Sequence, residues 1–202
     1  MYRTEDVLAT LGMVRHHKLD VRTVTMGVDL APCASPNPVV LCDRIRDRLL
    51  KYAGRLKSVC REVEARYGIP IVNRRIAVSP VAQVAAGHKA EGYLAVARTL
   101  DEAAAEVGVD LVGGFSAMVQ KGWTEGARRL IGVLPEVLST TQRVCSSVNV
   151  GTTAAGINMD AILEIGRVLK DTAERTRDHD GFGCAKLVVF ANAPADNPFM
   201  AG

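Results

Sequence analysis

A carboxylate, a guanidinium, a thiol and an ammonium group stand in this chain at positions where strand geometry would gather them around an anion. In VRTVTMGVDL, alternation sends Thr23, Thr25, Gly27 and Asp29 to one side and Val24, Met26, Val28 and Leu30 to the other. Asp29 is then a candidate to position a ligand or accept a proton. IPIVNRRIAVSP repeats the division: Asn73, Arg75, Ala77 and Ser79 alternate with Val72, Ile76 and Val78, a series interrupted by Arg74. Arg75 suits a carboxylate or phosphate, because its planar fork offers two parallel N–H bonds. In RVCSSVNVGTTAAGIN the valines 144, 148 and 150 alternate with Cys145, Ser147 and Asn149. Cys145 becomes a nucleophile only in an exposed, electropositive setting that favours the thiolate.

Two turns add polar groups. GGFSAMVQKG places Gly113 and Gly114 at a strand end, followed by Ser116 and Lys121, parts that could cradle an anion through backbone N–H groups. It lacks the Gly-Lys-Ser/Thr ending of a P-loop. FANAPADNPFMAG carries Asn192, Asp196 and Asn197 in a turn-rich loop after a strand, the usual place for ligand contacts in α/β folds. Each feature has a plainer reading. Asp29 and Arg75 could form an internal ion pair, and Lys121 could follow a tight turn in solvent. Thr152, Thr153 or Asn158 could cap the next helix, and small polar residues often bond to nearby backbone.

The elements that must position these groups follow from periodicity. A helix is expected near 4–18, a strand at 21–29 and, after the Pro-rich APCASPNP, one long helix from Val39 to Tyr67. A strand in IPIVNRRIAVSP, a short helix after Pro80, a helix over 91–107 and a strand at 109–113 come next. A helix near 124–138, a strand through the 143–158 stretch, a helix in MDAILEIGRVLKDTAERT and a strand in AKLVVFAN complete the series, with RTRDHDG at 175–181 as the expected mobile loop. Five strands alternating with helices predict one α/β domain over 1–202, with a mainly parallel sheet and right-handed crossovers.

A doubly wound sheet wants apolar residues on both faces, and an eight-stranded barrel fills its interior with branched apolar side chains. Three strands with a polar side instead predict a wider barrel or an open cleft holding water or ligand. Burying such groups without partners would cost about 1–3 kcal/mol each.

Composition removes other classes. The 202 residues are 48% apolar and 23% charged, ordinary for a folded domain, and 25 Lys and Arg against 22 Asp and Glu leave a charge of +3. That is too small a surplus to imply nucleic acid or a membrane surface as partner. MYRTEDVLATLG has acidic residues where a secretory signal has basic ones, and no apolar run is long enough to span a bilayer, so a cytoplasmic address is expected. Five cysteines, Cys33, Cys42, Cys60, Cys145 and Cys184, without a C-x-x-C pair read as reduced thiols. The Asp-His-Asp run at 178–180 has no second cluster to complete a metal site, His16 and His17 sit at a helix end, and His88 sits in a loop; no metal is expected and no cofactor is specified. On the long helix Arg44, Arg48, Lys51 and Arg55 interleave with Asp43 and Asp47, as on a solvated face.

NRRIAVSP, DLVGGFSAMVQKG, VCSSVNVGTTAAGINMDA and KLVVFANAPADNPFMAG together resemble the N-terminal half of a bacterial and archaeal family, domain of unknown function 711, also called uncharacterised protein family 0210. The resemblance covers the chain from the first helix onward. It implies a fold similar to the ten-stranded α/β barrel of the pyruvate formate-lyase type, built from two five-stranded halves. Members resemble chains about twice as long as this one, so the expectation is a half-barrel whose open edge is completed by a homodimer or second chain, or else a truncated product. Radical chemistry in such barrels needs a glycine in a C-terminal loop, which this chain does not contain, so no radical role falls to Cys145. Fold does not carry function with it. The leading expectation is an enzyme or half-enzyme acting on a small anionic metabolite. A non-catalytic sensor acting with the small ACT-type protein that such genes resemble neighbours of, or an inactive fragment, are the alternatives.

Overall fold

The computed structural model describes residues 3–17, 20–193 and 199. In chain order the elements are α1 (Thr4–Arg15), β1 (Val21–Val28), α2 (Pro38–Ala53), α3 (Leu56–Tyr67), β2 (Ile71–Val78), α4 (Val81–Val84), α5 (Ala90–Val107), β3 (Leu111–Gly113), β4 (Ala117–Met118), α6 (Glu125–Thr140), β5 (Ser146–Thr152), β6 (Gly156–Ile157), α7 (Met159–Arg175), α8 (Phe182–Ala185) and β7 (Leu187–Ala191). The α/β alternation expected from periodicity is present. Three short elements were beyond it: β4 inside the glycine-rich turn, β6 paired antiparallel to the end of β5, and α8. Within 175–181, the expected mobile loop, lies a 3-10 turn at Arg177–His179.

The helix expected over 39–67 is two helices. Asn37 starts α2 by accepting from the N–H groups of Val39 and Val40, and Leu41, Ile45, Leu49 and Ala53 form its buried stripe. Gly54 and Arg55 then turn the chain, and α3 buries only Cys60. The unbroken apolar spacing hid the break, because a turn of two residues barely disturbs a three- and four-residue pattern.

Strands β1, β2 and β3 pair in parallel, as do β4, β5 and β7. A bridge between Val112 and Val144 joins the two sets, so the parallel strands lie side by side in chain order. With spatial order following chain order, right-handed crossovers carry the connecting helices to one face. There α2 packs on α5, α5 on α6 and α6 on α7. Their apolar stripes meet Val28, Ile76, Val78, Val112, Val144, Val148 and Val150 in a single core. Among the described residues no closed barrel forms, and β1 and β7 each have one strand partner.

Between β3 and β4 the sheet carries a bulge. Val112 is level with Val144 and Ala117 with Val148, so five steps on one strand oppose four on the other. Gly114 absorbs the extra residue at φ 102°, and a Cβ there would lie 2.2 Å from the Val78 carbonyl oxygen. The displaced carbonyls are used: those of Gly114 and Ser116 accept from the N–H groups of Val81 and Ala82 at the start of α4.

Candidate functional site

Register assigns the residues of the polar side to rows across the face of the sheet opposite the helices. Thr23 is level with Asn73, Thr25 with Arg75 and Leu111, and Gly27 with Ala77 and Gly113. The bridge then places Cys145 beside Gly113, and the pairing of Ser146 with Leu187 places Lys186 beside Cys145. Farther along, Ser147 is level with Val188, and Met118 with Asn149 and Phe190. The alternation read from the sequence therefore corresponds to a real face, interrupted by Leu111, Met118, Val188 and Phe190.

The groups on this face fall into two zones. In the middle of the sheet Ser116, Ser147 and Asn149 are buried and tied down. The two serine Oγ atoms lie 2.7 Å apart, and the Ser147 N–H donates to Ser116 Oγ. The Asn149 amide nitrogen, in the orientation that satisfies both ends, donates to the carbonyl oxygens of Phe190 and Gly151, each at 3.0 Å. These residues form an internal polar seam, where the sequence suggested the lining of a hydrated hollow. Mutual bonding removes the penalty of burying them.

Toward β1 and β2 the face is more open. Asn73 Nδ2 donates to the Arg22 carbonyl, lacing β2 to β1. Arg75 is half-buried, and its Nε has no hydrogen-bond partner among the described residues. The Asp29–Arg75 ion pair that the sequence left open does not form. Asp29 lies just past the end of β1, where Oδ1 accepts from the Ala31 N–H at 2.8 Å and from Ser79 Oγ at 2.7 Å. The bond from Ala31, then that from Ser79, holds its carboxyl below the usual aspartate range, so Asp29 is a turn-capping anion and a weak proton acceptor. The neighbouring Arg74, which broke the apolar series, points to the helix layer and pairs with Glu64 at 3.1 Å.

Cys145 is half-buried beside Lys186, and the Arg75 charge also acts on it. Burial raises its thiol above the ordinary cysteine value, and the two cations only partly oppose this. It is therefore held as the thiol, the less reactive form. Lys186 escaped the sequence reading, although its place one residue before an apolar strand marked it as a side chain with nowhere wet to go. It is buried, and its Nζ donates to the Thr141 carbonyl at 2.5 Å, at the end of α6 where the helix dipole favours a cation. Burial nevertheless lowers its pKa from the lysine value of 10.5. A lysine so depressed costs the folded state stability while both states are charged, and the cost is relieved as pH rises through the folded pKa toward the unfolded one. Unfolding free energy should therefore climb on the alkaline side relative to Lys186→Met, a difference that denaturant titrations across pH would read.

The remaining sequence candidates sit elsewhere. Gly113 lies under the main chain of Phe199, whose carbonyl oxygen would be 2.6 Å from an added Cβ, so this glycine is explained by close approach. Gly114 is required by the bulge. Lys121 is exposed in the turn that closes with the Gly122 N–H on the Val119 carbonyl. Asn192, at φ 58°, accepts from the Thr153 N–H and hydroxyl and so clamps the turn between β5 and β6 to the end of β7. Asn158 is the cap of α7, accepting from the Ala161 N–H, while Thr152 accepts from Ala155 within the turn. His88 Nε2 lies 2.8 Å from the Ser35 carbonyl. Asp196 and Asn197 lie outside the described residues. Among the described residues no group of metal-ligating side chains assembles, and no helix is long and apolar enough to cross a membrane.

Comparison with known proteins fits this picture to a family. The family model described as "Uncharacterised ACR (DUF711)" matches residues 12–202. A UPF0210 protein of Desulforudis audaxviator is 55% identical over all 202 residues, and one of Halothermothrix orenii is 53% identical over the same span. A UPF0210 protein of Methanosarcina acetivorans is 53% identical over 199 residues, 98% of this chain. The match covers 45%, 45% and 43% of those three proteins, so the chain spans less than half the length of these curated relatives. A parallel sheet with one helix-covered face and one largely polar face, in a chain matched almost throughout by one family model, belongs to the DUF711 family, whose curated relatives bear the name UPF0210.

Proposed function

We propose that the sheet face opposite the helices binds a small anionic metabolite, a carboxylate or phosphate, with Arg75 as the principal contact. The observation that carries this reading is the Arg75 guanidinium, with a buried Nε that has no hydrogen-bond partner among the described residues. Leaving a cation partly desolvated and unpaired is costly, and a ligand anion held bidentately would offset that cost. Asn73 and Thr25, level with or next to Arg75, supply neutral polar contacts, and the Cys145 thiol borders the site. Since Asp29 is held ionised by its turn and Cys145 is held protonated, recognition is better supported than acid–base or nucleophilic catalysis, and no reaction is assigned.

The same reading takes residues 1–202 as one α/β domain forming half of a ten-stranded barrel, working in the cytoplasm. Chain-ordered parallel strands, singly covered by helices and open at β1 and β7, together with relatives of more than twice this length, support it. The other half would then close over the Arg75 face.

A thermal-shift screen of orthophosphate, citrate and short-chain dicarboxylates, at matched ionic strength, tests the binding. At least one anion should raise the melting temperature of the wild-type protein, and Arg75→Ala should abolish that shift. An equal shift in the variant, or none in the wild type, would remove Arg75 from the role.

A further inference from the structure

We propose that the outer side of α7 is a self-association surface on which two copies of the chain pack antiparallel about a two-fold axis. The buried side of α7 consists of Ala161, Ile165, Val168 and Thr172. At about 100° per residue, Met159 and Leu163 point the opposite way. They are 67% and 61% exposed, and Ile157, just before the helix, is 61% exposed. Single apolar residues at a surface need no explanation, but three neighbours beside a cleft do. Leu163 forms part of the wall of a groove of about 330 Å³ between α6 and α7, lined also by Trp123, Arg128, Ile131, Asp160, Glu164 and Arg167.

Charge selects the occupant. The patch carries both signs within two helical turns, so a nucleic acid, an anionic lipid surface or a uniformly charged peptide would meet like charges somewhere on it. A second copy gains two opposite-charge pairs there, with each Glu164 beside the axis held by its own Arg167. Asp160 and Arg167 lie on the groove side of the helix and flank Leu163 and Glu164 in sequence. An antiparallel pair of α7 helices with its axis beside Leu163 and Glu164 sets Asp160 of each copy against Arg167 of the other, the self-complementarity an isologous dimer requires. Asp160 has no ion pair among the described residues, and the exposed Arg167 has donors enough to keep Glu164, at 3.1 Å, while meeting the partner's Asp160. The same geometry sets the exposed Leu163 side chains of the two copies against each other beside the axis. Because the surface belongs to the helix layer, on the far side of the sheet from Arg75, its failure and that of the anion site are separate outcomes.

Sedimentation velocity of the purified full chain, from micromolar to sub-millimolar concentration, tests the proposal. The wild type should show a monomer–dimer equilibrium. Leu163→Glu, at a central exposed site that leaves the fold intact by circular dichroism, should weaken it about 100-fold. Asp160→Lys and Arg167→Glu should each weaken it about 10-fold, and the double variant should recover to within about threefold of wild type. A monomer at every concentration, a dimer indifferent to Leu163→Glu and so formed through another surface such as the β7 edge, or a double variant no better than its parents would each overturn the proposal.

Discussion

Gly114→Ala should destabilise the protein by about 3–5 kcal/mol, a large part of the stability of an ordinary domain. Two costs add at this residue. A φ of 102° is outside the comfortable range of an L side chain, and the new methyl would lie 2.2 Å from the Val78 carbonyl oxygen and 2.5 Å from Val78 Cγ2, closer than any real contact. Val78 is fully buried and strand-bound, so neither atom can give way. Gly122→Ala separates the two: it has a similar φ of 113° with no atom within 4 Å, so only the backbone cost of about 1–2 kcal/mol applies. Urea titrations of the two variants should differ by the steric part, and equal midpoints would show that the bulge can relax. Because the bulge sets the register of β4 on β5, Gly114→Ala should also disturb the Ser116–Ser147 bond.

Arg75→Met should move stability and binding in opposite directions. In the empty protein the variant removes a partly desolvated guanidinium whose Nε has no hydrogen-bond partner among the described residues, and it retains most of the apolar stem, so unfolding free energy should rise by about 1 kcal/mol. In the presence of the anion found by the screen, affinity should fall by about 30- to 100-fold, the worth of a lost charge-assisted bidentate contact. Calorimetric melting with and without that anion reads both effects. A purely structural arginine would give the reverse for the empty protein, a loss of stability on substitution, and that result would contradict the assignment. The opposed signs are those of a functional residue kept at a cost in stability.

The alternation in the strands was legible because one face is a dry core. Val28, Ile76, Val78, Val144, Val148 and Val150 had to be apolar, and period two then assigns every neighbour to the other side. Parallel strands were legible from the alternating helices, and the capping role of Asn158 was among the readings of its turn. What the sequence concealed is direction at strand ends and depth within the polar face. Asp29 is two residues beyond Gly27 and would continue the alternation, but the strand stops at Val28 and the carboxylate folds back onto Ala31. The alternation points Ser147 and Asn149 at water, yet Ser147 bonds to Ser116, which the bulge one strand away carries, and Asn149 bonds to the main chain of Phe190 and Gly151. Lys186 reaches Thr141 across 45 residues of sequence, a contact no local pattern signals. Arg75 stands out only once those other groups are seen to be satisfied.

The measurement that bears most directly on the anion site is the anomalous difference density from crystals equilibrated with selenate, a heavy analogue of phosphate-like anions. A peak within hydrogen-bonding distance of the Arg75 guanidinium, absent in crystals of Arg75→Met, is the predicted result. Selenate ordered only at exposed cations such as Lys121, with none at Arg75, would contradict it.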